Sequence, residues 1–256
     1  METAVRTPYQ GVINIIRFNW HFYVIAGISV LLILMASVWA GDIMFWFLAV
    51  LAFCIITSTC VSLLVSYYVY DRSGLYEFDW LHRFGKNEIQ TIVNVHAGFD
   101  ETSWILTKNF PSAQLRVFDF YDPSKHTEVS IERARKAYPP YDGTVKILTS
   151  QLPLPDESVS LLFNIFALHE VRNPDERTRF LQEQVRALRH DGKVVVVEHL
   201  RDVVNFLAYN IGFLHFLSEK EWTRNFKQAG LCVDSRFNIT PFIHVFILTK
   251  ADGTTH

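Results

Sequence analysis

The residues able to do chemistry in this chain stand where short apolar runs end. His96 follows the run Gln90–Val95 (QTIVNV), and Asp119 and Asp122 close the run Leu115–Phe120. His169-Glu170 follow Ser160–Phe166, and Glu198-His199 close the run VVVVE. If those runs are neighbouring strands of a doubly wound sheet, their carboxyl ends meet in one crevice. Imidazoles and carboxylates gathered there suit general-base work. They also suit an oxygen- and nitrogen-ligated metal such as Mn or Fe, although no spacing fixes a ligand set and no metal ligand is assigned. His215, and His126 with Glu128, stand where they could approach the rim. Structural roles compete: Glu170 and Glu198 can pair with Arg172 and Arg201, and Asp122 reads first as a helix cap. His244 alternates with apolar residues and reads as structural. Cys54, Cys60 and Cys232 show no CxxC spacing, so neither a zinc site nor a disulfide framework is expected.

The elements that must position these groups alternate. Asp100-Glu101-Thr102 opens a helix with an acidic first turn after the first strand. Asp122-Pro123 predicts a second helix start, with the helix running to about Tyr138 before Pro139-Pro140. Val145–Leu148 reads as the third strand. Asn173-Pro174-Asp175-Glu176 starts a helix that should end near Asp191-Gly192. The unbroken apolar run VVVVE is what a strand covered on both faces requires. Ser218-Glu219-Lys220-Glu221 is a capping box. Cys232–Ile239 and Phe242–Thr249 flank Thr240-Pro241 and form a closing antiparallel pair. The fold class is therefore α/β: a doubly wound, mostly parallel seven-stranded sheet with an antiparallel last strand.

A different solvent is written into the N-terminal part. No Asp, Glu, Lys or Arg occurs over the 24 residues Phe18–Gly41 or over the 28 residues Ile43–Tyr70. About 20 helical residues cross a hydrocarbon core, so a two-helix transmembrane hairpin is expected at about 18–40 and 43–70. Residues 1–17 form an interfacial segment, 71–87 a junction, 88–250 the α/β domain and 251–256 a tail. Arg6 and Arg17 before the first span and Arg72, Arg83 and Lys86 after the second place both termini and the domain in the cytoplasm. A formal net charge of −2, from 24 basic and 26 acidic residues, supplies no cationic field for nucleic acid. Nothing in the sequence fixes an oligomeric state.

The stretch Leu152–Glu198, LPLPDESVSLLFNIFALHEVRNPDERTRFLQEQVRALRHDGKVVVVE, resembles the second half of class I S-adenosylmethionine-dependent methyltransferases, especially the quinone and sterol methylating branches. The likeness extends over about 88–250 and excludes the hairpin. The first half departs from the family pattern. Its glycine-rich loop is reduced to Val93-Asn94-Val95-His96-Ala97-Gly98-Phe99-Asp100, with one glycine and Asn94 in place of an acid. The acid expected near the third strand is replaced by Thr149, Ser150 and Gln151, and the usual PGG turn by His190-Asp191-Gly192.

The resemblance implies S-adenosylmethionine as cofactor, held by Asn94, His96, Gly98, Asp119, Tyr121, Asp122, Ser150, Gln151, Leu152 and Asn164. It implies His169, Glu198 and His199 as the catalytic group, with His169 or His199 as base. The aromatic segment Asn205–Leu217 (NFLAYNIGFLHFL) reads either as a packing helix or as a lid for a lipophilic acceptor, contacted by Tyr209, Phe213, His215 and Phe216. The expectation is a membrane-anchored methyltransferase acting on a lipid, quinone or other hydrophobic acceptor dissolved in the bilayer. A metal-assisted enzyme of the rhodoquinone-forming type and a non-catalytic membrane-bound binding domain stand as alternatives.

Overall fold

The computed structural model describes residues 6–85 and 89–251. The end of the junction and the tail expected at 251–256 thus lie largely outside the described residues, as does Lys86. The chain opens with a short helix, α1 (Gln10–Phe18), which breaks at Asn19 into α2 (Trp20–Ser37). After a tight connection, α3 (Asp42–Tyr67) returns and continues through a π-helical turn, Tyr68–Arg72. Helices α2 and α3 pack along each other and are long and apolar enough to cross a membrane, and only 6% of each is buried. Their exposed faces carry Leu31, Leu32, Met35, Phe47, Phe53 and Leu64. A core helix of a water-exposed domain would bury such side chains.

Helix α1 lies against the base of this pair because its orphan amides are satisfied there. The Asp71 carboxylate accepts from the backbone N–H of Gly11 (2.7 Å) and of Val12 (2.8 Å), opposite the positive end of the helix dipole. Gly11 is the residue that permits this approach, since a Cβ there would collide with Cβ of Tyr70.

The remaining strands form one sheet in the order β3-β2-β1-β4-β5-β7-β6. Strands β1 (Thr91–His96), β2 (Gln114–Asp119), β3 (Val145–Lys146), β4 (Val159–Ile165) and β5 (Leu188–His199) run parallel. Strands β6 (Leu231–Thr240) and β7 (Ile243–Lys250) pair antiparallel, and β7 joins β5 antiparallel. The expected sheet is therefore present.

Period-two alternation divides the apolar residues between two faces. Val93, Val95, Val194 and Val196 face a core with Phe180, Leu181, Trp222 and Phe226, supplied by α6 (Pro174–Ala187) and α8 (Glu219–Gln228). Ile92, Val195 and Val197 face the opposite core. That core is filled by Val69, Leu75, Phe78, Trp80, Leu81 and Phe84 together with Leu106 and Phe110. Leu106 belongs to α4 (Ser103–Asn109). The expected junction 71–87 is thus no spacer. Its apolar side chains cover one face of the sheet and bind the apolar helices to the domain.

Four boundaries differ from the sequence expectation. No helix starts at Asp122-Pro123: Asp122 accepts from Ser124 N–H and Oγ–H in a tight turn, and α5 (Val129–Ala137) begins later. Buried His126 explains the delay, because its Nδ1 accepts the Asp122 N–H at 2.9 Å and holds the loop inward. The third strand shrinks to Val145–Lys146. Helix α6 ends at Ala187, and β5 runs through His190-Asp191-Gly192, where a turn was expected. The aromatic segment Asn205–Leu217, read as a packing helix or a lid, divides between α7 (Val203–Tyr209) and a 3-10 turn, Asn210–His215. The capping box stands as expected: Ser218 Oγ accepts Glu221 N–H, and Glu221 accepts Ser218 N–H.

Candidate functional site

At the carboxyl edge of β1 and β4 lies a cavity of about 240 Å³. One wall is the loop after β1 (His96, Ala97, Phe99); another is Ile165, Phe166 and Glu170 beyond β4; a third is Ile131 and Ala134 of α5. The remaining wall comes from the N-terminal helices, with Asn14, Ile15 and Phe18 of α1 and Tyr70 at the foot of α3. The lining is mainly apolar, with an ionic corner where Arg6 pairs with Glu101 at 3.0 Å and lies over the Tyr76 ring.

His96 is the expected residue that reaches this cavity from the glycine loop. It is 4% exposed, and its Nδ1 accepts Gly98 N–H at 3.1 Å. Burial lowers its pKa, so the ring is neutral and carries its proton on Nε2, which has no partner. An unpaired donor in a cavity wall is costly unless a ligand accepts from it. Asn94 lies deeper, its amide donating to Thr102 and Ser103 oxygens while its Oδ1 is unpaired.

Asp119 is buried at the end of β2 beside His96. Its Oδ1 accepts Tyr121 N–H (2.9 Å), and its Oδ2 is taken by Arg135 at 2.6 Å. The Arg135 guanidinium lies over the Tyr121 ring and donates to Gly98 O. It fills the space that a Cβ on Gly98, whose φ is +94°, would enter. An arginine from α5 thus occupies the side of the crevice next to Asp119, where the cofactor was expected.

The other expected cofactor residues are dispersed. Tyr121 borders a separate depression with His126 and Arg135. Ser150, Gln151 and Leu152 line another with Glu183 and Arg186. Asp122 is spent on its turn, and Asn164 is buried in a reciprocal amide pair with Gln184 (2.9 and 3.1 Å).

The expected catalytic residues form two clusters. In the first, His169 lies between two carboxylates: Nδ1 meets Glu198 Oε2 at 2.7 Å, and Nε2 meets Glu170 Oε1 at 3.1 Å. Burial disfavours its charge, but the two carboxylates outweigh burial and push its pKa up to about 10. His169 therefore holds its proton at neutral pH, which removes the reason to assign it as base. His215 joins this cluster, with Nε2 3.2 Å from the same Glu170 oxygen and Nδ1 2.5 Å from Glu128 Oε1. Among the described residues these three, His169, Glu170 and His215, are the group whose donor atoms lie within metal-binding reach, all within 4.8 Å of one another.

The second cluster centres on His199, which burial pushes down to about 4. Its Nδ1–H donates to Asn205 Oδ1 at 3.0 Å, and its Nε2 accepts the Tyr70 hydroxyl at 2.8 Å. Phe216 stacks on it (4.7 Å), with Phe166 and Tyr209 at 5.5 and 5.4 Å. Phe213 packs on Phe206 instead. Tyr209, Phe213, His215 and Phe216 adjoin the cavity without lining it.

Tyr70, Phe18 and Arg135 escaped the sequence reading. Tyr70 and Phe18 sit at the ends of the apolar runs and look like span residues; Arg135 looks like one more surface cation on an amphipathic helix.

Comparison with known proteins bears on the fold. Residues 121–196 match the family model described as a methyltransferase domain. The chain thus resembles a methyltransferase domain over those residues and shares the fold of solved SAM-dependent methyltransferases. The fold is similar to that of a SAM-dependent methyltransferase from Aquifex aeolicus, at TM-score 0.52 and 19% identity, covering 75% of this chain and 97% of that one. It is also similar to the mitomycin 7-O-methyltransferase MmcR, at TM-score 0.54 and 16% identity, covering 96% of this chain and 74% of that one. A SAM-dependent methyltransferase from Methanosarcina mazei gives TM-score 0.50 at 15% identity over 68% and 97% of the two chains. No curated protein matches the chain in sequence.

Proposed function

We propose that this chain is a bilayer-anchored S-adenosylmethionine-dependent methyltransferase whose acceptor is a hydrophobic molecule taken from the membrane. The observation that carries the reading is the composition of one cavity. Its walls combine the loop after β1, where the fold binds its cofactor, with Phe18 and Tyr70 from the helices that continue into the apolar pair. Arg6, Arg17, Arg72 and Arg83 flank the two spans on one side, which supports a cytoplasmic domain. Exposed Val203, Leu207, Ile211 and Leu214 extend the apolar surface from α7 through the turn after it. That surface suits a segment lying in the interface.

The residues present fit the cofactor at three points. His96 Nε2–H is an unpaired donor, Gly98 leaves backbone room, and Asp119 offers a carboxylate to the ribose hydroxyls once Arg135 swings away. A volume of 240 Å³ falls below the roughly 300–1,000 Å³ usual for small-molecule sites, so the cavity must widen to take the cofactor. The cofactor supplies an electrophilic methyl group on a sulfonium. The chain's own contribution is alignment and dryness: Phe18, Phe99, Ile131 and Phe166 exclude water and hold an apolar acceptor. The Tyr70 hydroxyl is held by neutral His199 at 2.8 Å.

The test uses the full chain in nanodiscs made from its host's lipid extract, supplied with methyl-labelled S-adenosylmethionine. Label should enter the organic phase on extraction. Label found only in water-soluble products refutes the membrane acceptor, and failure to bind S-adenosylhomocysteine by calorimetry refutes the cofactor.

A further inference from the structure

We propose that His169, Glu170 and His215 bind one divalent transition-metal cation at the wall of the cavity. An ion with ligand bonds of about 2.0–2.2 Å keeps adjacent ligand atoms roughly 3.0–3.5 Å apart. The two separations to Glu170 Oε1 are 3.1 Å from His169 Nε2 and 3.2 Å from His215 Nε2. The imidazole planes stand at 80°, so both rings present an edge nitrogen to the same carboxylate oxygen.

A second observation is independent of those distances. Glu198 Oε2 holds His169 Nδ1 at 2.7 Å, and Glu198 Oε1 accepts the His169 backbone N–H at 3.3 Å. Glu198 is fully buried on β5, away from the cavity. On the other ring, Glu128 and Arg172 reach the Nδ1 edge of His215. Each histidine is thus oriented through Nδ1, which leaves Nε2 for a ligand bond. Carboxylate-backed histidines of this kind are the usual outer shell of protein metal sites. Glu170 and Glu198 bring two carboxylates to the buried cluster, offset in part by the His169 proton, and a dication on Nε2 would take the place of that proton.

Two imidazoles and a carboxylate, with no sulfur, favour Zn²⁺, Mn²⁺ or Fe²⁺. Three protein ligands leave coordination positions open, and Glu170, which lines the cavity, would hold the ion beside the guest. There the ion would bind and polarise an acceptor oxygen. That role rests on the proposed methyl transfer; the binding site itself does not.

The experiment measures Mn²⁺ alone, without cofactor or acceptor. Full-length protein in detergent is stripped with chelator, desalted and titrated with Mn²⁺, free ion being read by electron paramagnetic resonance. One Mn²⁺ per chain is expected. His215→Asn and Glu170→Gln should each weaken binding at least tenfold, and Glu198→Gln by roughly 10–100-fold through misorientation of His169. Thermal melts of the stripped proteins establish that the variants are folded, and His215, at the rim, is the substitution the fold tolerates best. His96→Gln, in the same cavity but outside the cluster, should leave the affinity unchanged. No saturable binding by the parent protein overturns the proposal. So does unchanged affinity in folded His215→Asn and Glu170→Gln, or equal loss in His96→Gln.

Discussion

If the proposed cofactor lies against Asp119, Arg135 competes with its ribose for one carboxylate, which gives the structure its sharpest consequence. Arg135 Nη1 donates to Asp119 Oδ2 at 2.6 Å and to Gly98 O at 3.2 Å, and the guanidinium rests over Tyr121. A cofactor ribose must break the Asp119 pair before it can bind. Hydrogen bonds to charged groups contribute about 1.5–3 kcal/mol when shielded. The Arg135 side chain is 26% exposed, so solvent screening reduces the net pair to about 1 kcal/mol. At about 1.4 kcal/mol per factor of ten, Arg135→Met should tighten S-adenosylhomocysteine binding roughly fivefold. Asp119→Asn removes the charge that grips the hydroxyls and should weaken binding by about 10–100-fold. In the double variant the gain from Arg135→Met should vanish, because nothing is left to compete for. Isothermal calorimetry on the full chain in nanodiscs, with melting temperatures as the folding control, measures all four corners of this cycle. Weaker binding in Arg135→Met would refute the competition and make Arg135 a contact of the ligand.

Other substitutions probe the parts that hold the site in place. Asp71→Ala strips the cap from α1 and should cost about 1 kcal/mol, seen as faster amide exchange over residues 10–18 with the sheet unchanged. Gly98→Ala places a Cβ at φ +94° within 2.5 Å of Arg135 Nη1. It should lower stability by about 1–2 kcal/mol in thermal melts, and adding Arg135→Met should relieve the clash but not the backbone strain. Glu221 has its pKa lowered to about 2: burial opposes this, but the Ser218 N–H and hydroxyl and Arg201 outweigh it. Folding lowers this pKa from an unfolded value of about 4.3. Its contribution is therefore complete above pH 4.3 and disappears as pH falls towards 2. Glu221→Gln should cost about 1 kcal/mol at pH 7 and nothing near pH 2 in chemical denaturation.

The sheet was legible because its residues answer to one requirement each. Val194–Val197 must be covered on both faces, and the strand ends then fall into order by the handedness and switch-point rules of such sheets. The site was legible only as a set of strand ends. His96, Asp119, His169, Glu198 and His199 do arrive at one edge, but side chains of other elements decide what each one faces. Arg135 takes Asp119, Tyr70 takes His199, and Glu170 with Glu198 takes His169. None of these partners has a local signature, since each pairing depends on packing between segments 16 to 129 residues apart, apart from the adjacent Glu170. The same reason hid the junction. Leu75, Phe78, Trp80, Leu81 and Phe84 follow the second apolar run so closely that they read as its polar-flanked exit. A sheet that lacks a full layer of helices on one face must find apolar cover elsewhere, and this stretch supplies it. That substitution matters for the cavity: the cover begins at the foot of α3, so Tyr70 is carried to His199 and the N-terminal helices supply one wall. Had ordinary helices covered that face, the spans could have been a tether on a loose linker. Here any shift of α3 must move Tyr70, and with it one wall of the cavity.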